Sequence, residues 1–513
     1  MKDSTRKIRS SHVNTGTGIP RDQLPWPETR GRVLRLPRSL VEVDADSVVT
    51  PYGGLALAAK FLKDFEVGQK LDANVRVLKL HLPYHESDHV IAQALNLYVG
   101  GTCLEDQANL QHSEGVKRLL GACRIPDPTT AGDFLRRFDE MENPGSLSGL
   151  RRAVDEVQEE VWWRLAVRRG RRRLKRPFTA IDLDGHTKVL YGEQKQGADF
   201  SRKGEWSYHP LLVSMAQTGE CLAVRNRPGN QRSCTGAAEV LDEVLPRVKR
   251  NYETVLVRGD SDFDVQELRD TCHHHGVYFA FVGREFPDRP GLAQSLPEDN
   301  WQPFLTQAKR RREQARRRPG YQSRRKMESF KQSVVEQREY KDLRTTKQWV
   351  AEVPFTPGGS SRAYRLVIRR QLIEEWRGQL KLFEEYRYRY VLTDLPEDWS
   401  TEEVVDETYD RCDQENLIEQ MGSGLAMWRM PVAEFEGNCA WLEIARLAWN
   451  LGKWLAQLVL PEETVRWEWK RFRQAFVYLS AVVTRRARQL RVRFSGSHRF
   501  ASTLVAAHAQ LQT

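Results

Sequence analysis

Carboxylates gather in three short stretches of this chain: Ile181-Asp-Leu-Asp-Gly185, Val257-Arg-Gly-Asp-Ser-Asp-Phe263 and Tyr409-Asp-Arg-Cys-Asp-Gln-Glu-Asn-Leu-Ile-Glu419. Hard oxygen ligands of this kind suit Mg²⁺, provided a fold brings them together. In a protein with 80 Lys and Arg against 69 Asp and Glu, net charge +11, the chemistry expected of them is metal-assisted attack on a phosphodiester. The positive charge is clustered, at Arg168–Arg176, including Arg171, Arg172 and Arg173, at Lys309–Arg312 with Arg316–Arg318 and Arg324–Lys326, and at Arg485–Arg488 with Arg491 and Arg493. Three such clusters favour a polyanion partner, since each neutralised phosphate releases condensed counterions.

The elements that must position these acids are legible in the periodicity. Pro177–Asp184 reads as a strand, and alternate strand residues share a face, so Asp182 and Asp184 project together, with Asp184 at the exit before Gly185. Val255-Leu-Val-Arg-Gly-Asp260 repeats that pattern, with Asp262 just beyond. Tyr409–Glu419 reads as one helix, in which Arg411, Glu415 and Glu419 share a face while Gln414, Leu417, Ile418 and Met421 lie on the other. Asp182 and Asp262 compete with Asp184 and Asp260 as metal ligands; Asp260 is preferred to Asp262 because it directly follows its strand.

Length places two or three domains in the 513 residues. Residues 1–45 are polar and rich in Arg and Pro, and a flexible basic arm is expected there. A helical DNA-binding region is expected over 46–176. It contains apolar stripes at Leu55–Leu62 and Val90–Leu97, a stop at Gly100-Gly101, and a long helix over 147–169. Within it, Pro126–Arg137 reads as a helix start with Thr130 as N-cap and Asp133 in the capping-box position. This helix carries Arg136 and Arg137, and it is a candidate for the reading half of a helix-turn-helix.

From 177 the period becomes strand-like and then alternates with helices, the pattern of a mixed α/β sheet. Residues 285–400 read as a β-rich insertion. After Pro396 the pattern is helical again, with a core-facing stripe at Trp441, Ile444, Leu447, Ala448, Leu451 and Leu455. Cys272-His-His-His275-Gly276 reads as a helix C-terminus rather than a zinc site, because consecutive histidines on a helix cannot converge on one ion. Trp162-Trp163 reads as packing and His209 as a structural histidine.

Seven scattered cysteines without a C-x-x-C pair suit a reducing compartment. No run approaches the ~18 apolar residues of a membrane span, and the N-terminus lacks a signal-peptide core. The expected location is the cytoplasm, in association with the nucleoid, with no membrane partner.

Asp-x-Asp-Gly-x-Thr at 182–187, Tyr-Gly-x-Gln at 191–194, Tyr-His-Pro-Leu at 208–211, Arg-Gly-Asp-Ser-x-Phe at 258–263 and Tyr-x-Arg-x-x-x-Glu-x-x-Ile-Glu at 409–419 resemble the motifs of bacterial insertion-sequence DDE transposases. The similarity is to the subgroup with a β-strand insertion before the catalytic Glu, and it covers about residues 80–505. It implies an α/β, ribonuclease H-like mixed sheet flanked by helices, formed by 177–284 and 401–513 with C-terminal helices. It also implies Asp184, Asp260 and Glu415 as the catalytic, metal-binding triad. Asp184 is preferred to Asp182 because family members keep the acid just before this Gly-x-Thr step.

The activity implied is two-metal cleavage of DNA at element ends, followed by transfer of the 3′-OH into target DNA, with Mg²⁺ ions, or Mn²⁺, about 3.5–4 Å apart. Tyr409 and Arg411 would contact scissile-strand phosphates, and Arg136, Arg137 and Arg171–Arg173 other parts of the duplex. Cutting two ends together implies at least a homodimer on double-stranded DNA. Two features depart from the pattern: Gly422 stands where relatives often carry Lys, and one residue rather than two separates Tyr409 from Arg411. The competing readings are a stand-alone metal-dependent nuclease and a DNA-binding descendant of a transposase whose catalysis has decayed.

Overall fold

Helical spacing of apolar residues between 55 and 167 is matched by helices in the computed structural model of the protein. The structure describes residues 47–171, 174, 176–284, 288–305, 310, 343–376, 379–486 and 489–511. Met1–Ser47 and Val48–Thr513 are separate units; the expected arm over 1–45 lies outside the described residues, as do Arg172, Arg173 and, apart from Arg310, the 309–326 basic stretch. A short strand β1 (Val49–Thr50) precedes α1 (Leu55–Asp64), α2 (Val67–Asn74), α3 (Glu86–Val99), α4 (Ala108–Gln111), α5 (Glu114–Leu120), α6 (Pro128–Arg136) and α7 (Ser146–Val167). Leu55, Leu57, Ala58, Phe61 and Leu62 bury one face of α1. Gly100 ends α3 at φ 106°, a conformation open to glycine and costly for residues with a Cβ.

The α6 start differs from expectation. Asp127, not Thr130, is the N-cap, accepting the Thr130 N–H at 2.9 Å, and Pro128 occupies the first turn, where its missing N–H has no helical partner to lose. A carboxylate gains more than a hydroxyl from the helix dipole, and the Thr130 hydroxyl donates to it at 2.6 Å.

The sheet is built on β2 (Arg176–Gly185), whose Thr179–Leu183 segment is buried. After it come β3 (Lys188–Val189), β4 (Asp199–Phe200) and β5 (Trp206–Tyr208), which form a small separate sheet. Then follow β6 (Leu211–Met215), β7 (Cys221–Arg225), α8 (Ala237–Lys249), β8 (Tyr252–Gly259), α9 (Gln266–His275) and β9 (Tyr278–Gly283). β2 pairs antiparallel with β6 and β6 with β7, while β8 lies parallel to β2 and β9 parallel to β8. The order β7-β6-β2-β8-β9, with antiparallel strands on one side and parallel strands on the other, is the ribonuclease H-like arrangement.

After α10 (Asp288–Ser295), the strands β10 (Gln302–Pro303), β11 (Leu343–Phe355), β12 (Tyr364–Trp376) and β13 (Gln379–Thr393) extend the same sheet. β13 pairs with β9 from Tyr390↔Gly283 to Thr393↔Ala280. The strands read as an insertion over 285–400 therefore continue the sheet, which has nine strands among the described residues.

The remaining elements are α11 (Thr401–Tyr409), α12 (Cys412–Glu419), a π turn at Gln420–Gly424, α13 (Phe435–Leu458), α14 (Trp469–Phe476), β14 (Ala481–Arg486), β15 (Gln489–Phe494) and α15 (Ala501–Gln510). The expected apolar stripe of α13 is buried, but so is its polar side, because this helix packs against α3 and α7 as well as β7. Several polar groups there are satisfied internally. Asn450 accepts the Cys221 N–H and donates to the Cys221 carbonyl, both at 2.8 Å, completing the pairing of edge strand β7. Glu443 pairs with Arg446 and Arg225 at 2.6 and 3.1 Å.

The helical expectation fails at 481–494. There Ala481 and Val483 are buried in alternation, a period of two, and β14 pairs with both β15 and β1. This hairpin carries Arg485, Arg491 and Arg493 exposed.

Candidate active site

Two aspartates on one face of β2 meet opposite environments. Asp182 is buried, and the neighbouring β8 residue Arg258 grips it with both prongs, Nε to Oδ1 at 2.6 Å and Nη2 to Oδ2 at 2.8 Å. The third guanidinium nitrogen donates to Glu407 of α11, to its carboxylate at 2.9 Å and its carbonyl at 2.6 Å. Burial opposes the charge on Arg258, but the two acids hold its pKa above the usual range.

Asp184, at the strand's exit, has no such partner. Its carboxyl is pushed up to about 6, first by burial and further by the charges of Asp260 and Glu415, against the pull of Arg411. Arg411 Nη1 stands 3.8 Å from Oδ2 and donates to the Leu183 carbonyl at 3.4 Å. Oδ1 accepts the Gly185 N–H at 2.8 Å.

The second island repeats the division. Asp260 follows β8 directly, and its Oδ1 accepts the Asp262 N–H at 2.8 Å. Asp262 is ion-paired with Arg284 at 3.0 Å, and Arg284 is fixed by donating to the Ser261 carbonyl at 2.7 Å. In both islands, one aspartate is neutralised by arginine and the other is oriented by a backbone amide.

The third island is two helices rather than one. α11 ends at Tyr409 and α12 begins at Cys412, with Asp410 and Arg411 between. The phase of α12 is as expected: Gln414, Ile418 and Met421 are buried, and Glu415 and Glu419 are exposed. Gln414 donates to the Asp182 carbonyl at 3.2 Å, which fastens α12 to β2 and fixes the face bearing Glu415. Arg411 thus joins Asp184, whereas Tyr409 goes elsewhere. Its ring packs against the cluster of Ala180, Leu256, Val404 and Val405, 5.3 Å from the Arg369 guanidinium.

Arg136 and Arg137 are exposed at the end of α6, Arg136 pairing with Asp133 at 2.7 Å, and Arg171 is exposed just past α7. Arg168, from the same basic cluster, is instead structural, donating to the carbonyls of Leu458 and Gln510. The triple histidine closes α9 before Gly276, which adopts φ 58°, as expected. Trp162 is buried and donates to Glu220 at 3.2 Å. His209 is pushed down to about 4 by burial and by Arg227, and its ring packs on Gly185, where a Cβ would lie 2.3 Å from Nε2.

Gly422 sits in the π turn against Trp428, whose Cδ1 would be 2.6 Å from an added Cβ. The position where the motif resemblance leads one to expect Lys therefore has no room for a side chain as this indole is seated. Sequence reading missed Arg258 as the partner of Asp182. The signal was available: an arginine inside the apolar run Val255-Leu-Val-Arg requires a buried acid. It also missed His186, Lys188 and Trp428, which line a cavity together with Gly422 and Arg429, the arginine that the sequence offers as a substitute for the absent Lys.

This is an α/β protein of the ribonuclease H-like class, with acids at the exits of two adjacent parallel strands and on a helix packed against them. The chain belongs to the transposase DDE domain group 1 family, whose model matches residues 38–513. It is thus of a transposase family, one of DNA-rearranging enzymes that generally use divalent metal ions. No curated protein matches it. Among solved structures, the cryo-EM structure of a piggyBac transposase synaptic complex with hairpin DNA is similar at a TM-score of 0.38 and 10% identity, over 83% of this chain and 80% of that one. Among the described residues, no helix is long and apolar enough to cross a membrane.

Proposed function

We propose that this protein cuts DNA strands at the ends of a mobile element and joins the freed 3′-OH to target DNA, with Asp184, Asp260 and Glu415 as its metal-binding triad. The observation that carries this reading is geometric: Asp184 and Asp260 stand at the exits of the adjacent parallel strands β2 and β8, and Gln414 fastens the helix bearing Glu415 to β2; in keeping with this, burial and the charges of Asp260 and Glu415, against the pull of Arg411, push the Asp184 carboxyl up to about 6. Arg411, 3.8 Å away, offsets only part of the negative charge gathered there, and a donor set made only of carboxylate oxygens fits Mg²⁺, or Mn²⁺. Bound there, divalent cations would supply charge stabilisation at the scissile phosphate and acidify a nucleophilic water or 3′-OH.

The chain's own residues do the positioning. The Gly185 and Asp262 amides each hold one oxygen of Asp184 and Asp260, which fixes the carboxylate planes. Arg411, held by the Leu183 carbonyl, presents a planar cation beside Asp184, suited to a phosphate of the cleaved strand. Asp182 and Asp262, each already bound to arginine, belong to the support rather than to the metal site. Exposed Arg136, Arg137 and Arg171 would contact the duplex backbone. The coupled cutting of two ends calls for at least a dimer on DNA.

Labelled element ends, target DNA and Mg²⁺ test the proposal. Joined products are expected, and Glu415→Gln should abolish them. Nicks without joining would make the protein a nuclease, binding without either would make it a catalytically decayed descendant, and joining by Glu415→Gln would dismiss the triad.

A further inference from the structure

Near the carboxylates lies a cavity of 280 Å³ that the chemistry above leaves unused. His186 and Lys188 line it, two and four residues past Asp184, with Gly422 and Ser423 of the π turn that follows α12, then Trp428 and Arg429. Its lining holds two cationic side chains and no carboxylate. Lys188 is partly buried, and burial followed by the charge of Arg429 holds its pKa below the ordinary lysine value. Two like charges gathered in one partly enclosed space repel each other, and an anion between them removes that cost.

The walls are tied to the fold by hydrogen bonds. Exposed Arg429 donates from Nε to the Thr102 carbonyl at 3.0 Å, which orients its guanidinium. Trp428 is buried, donates to the Ile418 carbonyl at 3.2 Å, and has His186 against it at 4.9 Å between ring centroids. With both the indole edge and one face occupied, a nucleobase gains little by entering, which leaves a compact anion as the better occupant. A volume of several waters accommodates a phosphate group.

We propose that this cavity binds a backbone phosphate of the DNA strand, next to the phosphate at the carboxylates, with Lys188 and Arg429 as its ligands. The inference rests on the DNA-processing reading above and adds to it a named binding subsite. It also gives Gly422 a role: the absent side chain lets Trp428 close the wall while leaving the space open to a ligand.

The test uses the full chain and a DNA duplex of arbitrary sequence with a frayed end, in chelator, with affinity followed against salt. The wild-type protein should bind with a steep slope of log affinity on log salt. Lys188→Gln and Arg429→Gln should each flatten that slope by about 0.9, so that the loss of affinity between about 50 and about 200 mM salt shrinks roughly threefold. Lys188→Arg should retain it. Ser423→Asp, at an exposed position on the cavity wall, should weaken binding without removing any packing atom, and it decides the matter if Lys188→Gln lowers the melting temperature.

Unchanged slopes in the two Gln variants and unchanged binding by Ser423→Asp would overturn the subsite while leaving the transposase reading intact. Failure of the wild-type chain to bind DNA would overturn both. Glu415→Gln, which should bind as wild type yet cleave nothing, separates loss of the subsite from loss of the triad.

Discussion

Asp182 and Asp184 are two residues apart on the same face of β2, yet the fold treats them in opposite ways. Asp182 receives a buried bidentate arginine, which itself is shared with Glu407, so its charge is matched before any ligand arrives. Asp184 receives one backbone N–H and an arginine 3.8 Å away, in the presence of two further acids. The difference teaches that proximity of carboxylates does not by itself make a metal site. What marks one is the acid whose charge the protein declines to neutralise, since a group held in an unfavourable state is poised for a ligand that relieves it.

Breaking the matched pair should have the largest effect. Asp182→Ala leaves the Arg258 guanidinium buried with Glu407 as its remaining acid partner, and loss of about 3–5 kcal/mol is expected in urea unfolding. Replacing both, Asp182→Leu with Arg258→Met, should recover most of that loss. If the double variant were as unstable as the single one, the pair would be more than a matched charge.

Asp184→Asn should cost activity rather than stability. Strand cleavage should fall by on the order of 10²–10³-fold, the scale for removing one electrostatic contributor to a transition state. In chelator the sign for stability is reversed relative to Asp182. The folded carboxyl titrates at about 6, above its unfolded value of 3.8, so the folded state binds more protons between those values and wild-type stability falls as pH rises through them. The Asn variant lacks that penalty and should be the more stable protein above pH 6, by up to about 3 kcal/mol. Added Mg²⁺ should raise the melting temperature of the wild type and not of the variant. A variant less stable than wild type at pH 7 in chelator would remove the contrast between the two aspartates.

Much of this contrast was legible before the fold was known. Strand parity places Asp182 and Asp184 together, and helical phase separates Glu415 from Gln414 and Ile418, because both depend only on local geometry. What neutralises Asp182 was not legible, since Arg258 lies 76 residues away and meets it only through the register of parallel strands. The break between α11 and α12 was hidden for a related reason. Both halves carry helical periodicity, and the seating of Tyr409 on a separate apolar cluster is decided by α11 packing against the sheet. At 481–494, exposed arginines obscured a two-residue alternation, and pairing with Val49–Thr50, over 430 residues earlier, completes the strand.

A smaller effect is expected at Gly422, where the resemblance of the motifs suggests restoring lysine. The added Cβ would press on Trp428, so Gly422→Lys should destabilise by about 1–3 kcal/mol and lower DNA binding rather than improve it. Stronger binding with unchanged stability would mean that the indole yields readily.

The smallest effect sharpens the comparison most. Asp262 and Arg284 repeat the pairing of Asp182 and Arg258, but their side chains are 45% and 30% exposed, against 3% and 2% for the buried pair. Water screens the exposed pair in the folded protein and solvates whichever partner remains when the other is lost, so Asp262→Asn should change stability by no more than about 1 kcal/mol. Its backbone N–H, which holds Asp260, is retained in that variant. Cleavage should therefore persist near the wild-type level, while Asp260→Asn should abolish it. If Asp262→Asn abolished cleavage with stability unchanged, Asp262 would itself be a ligand, and an arginine partner would no longer distinguish supporting acids from acids that bind metal.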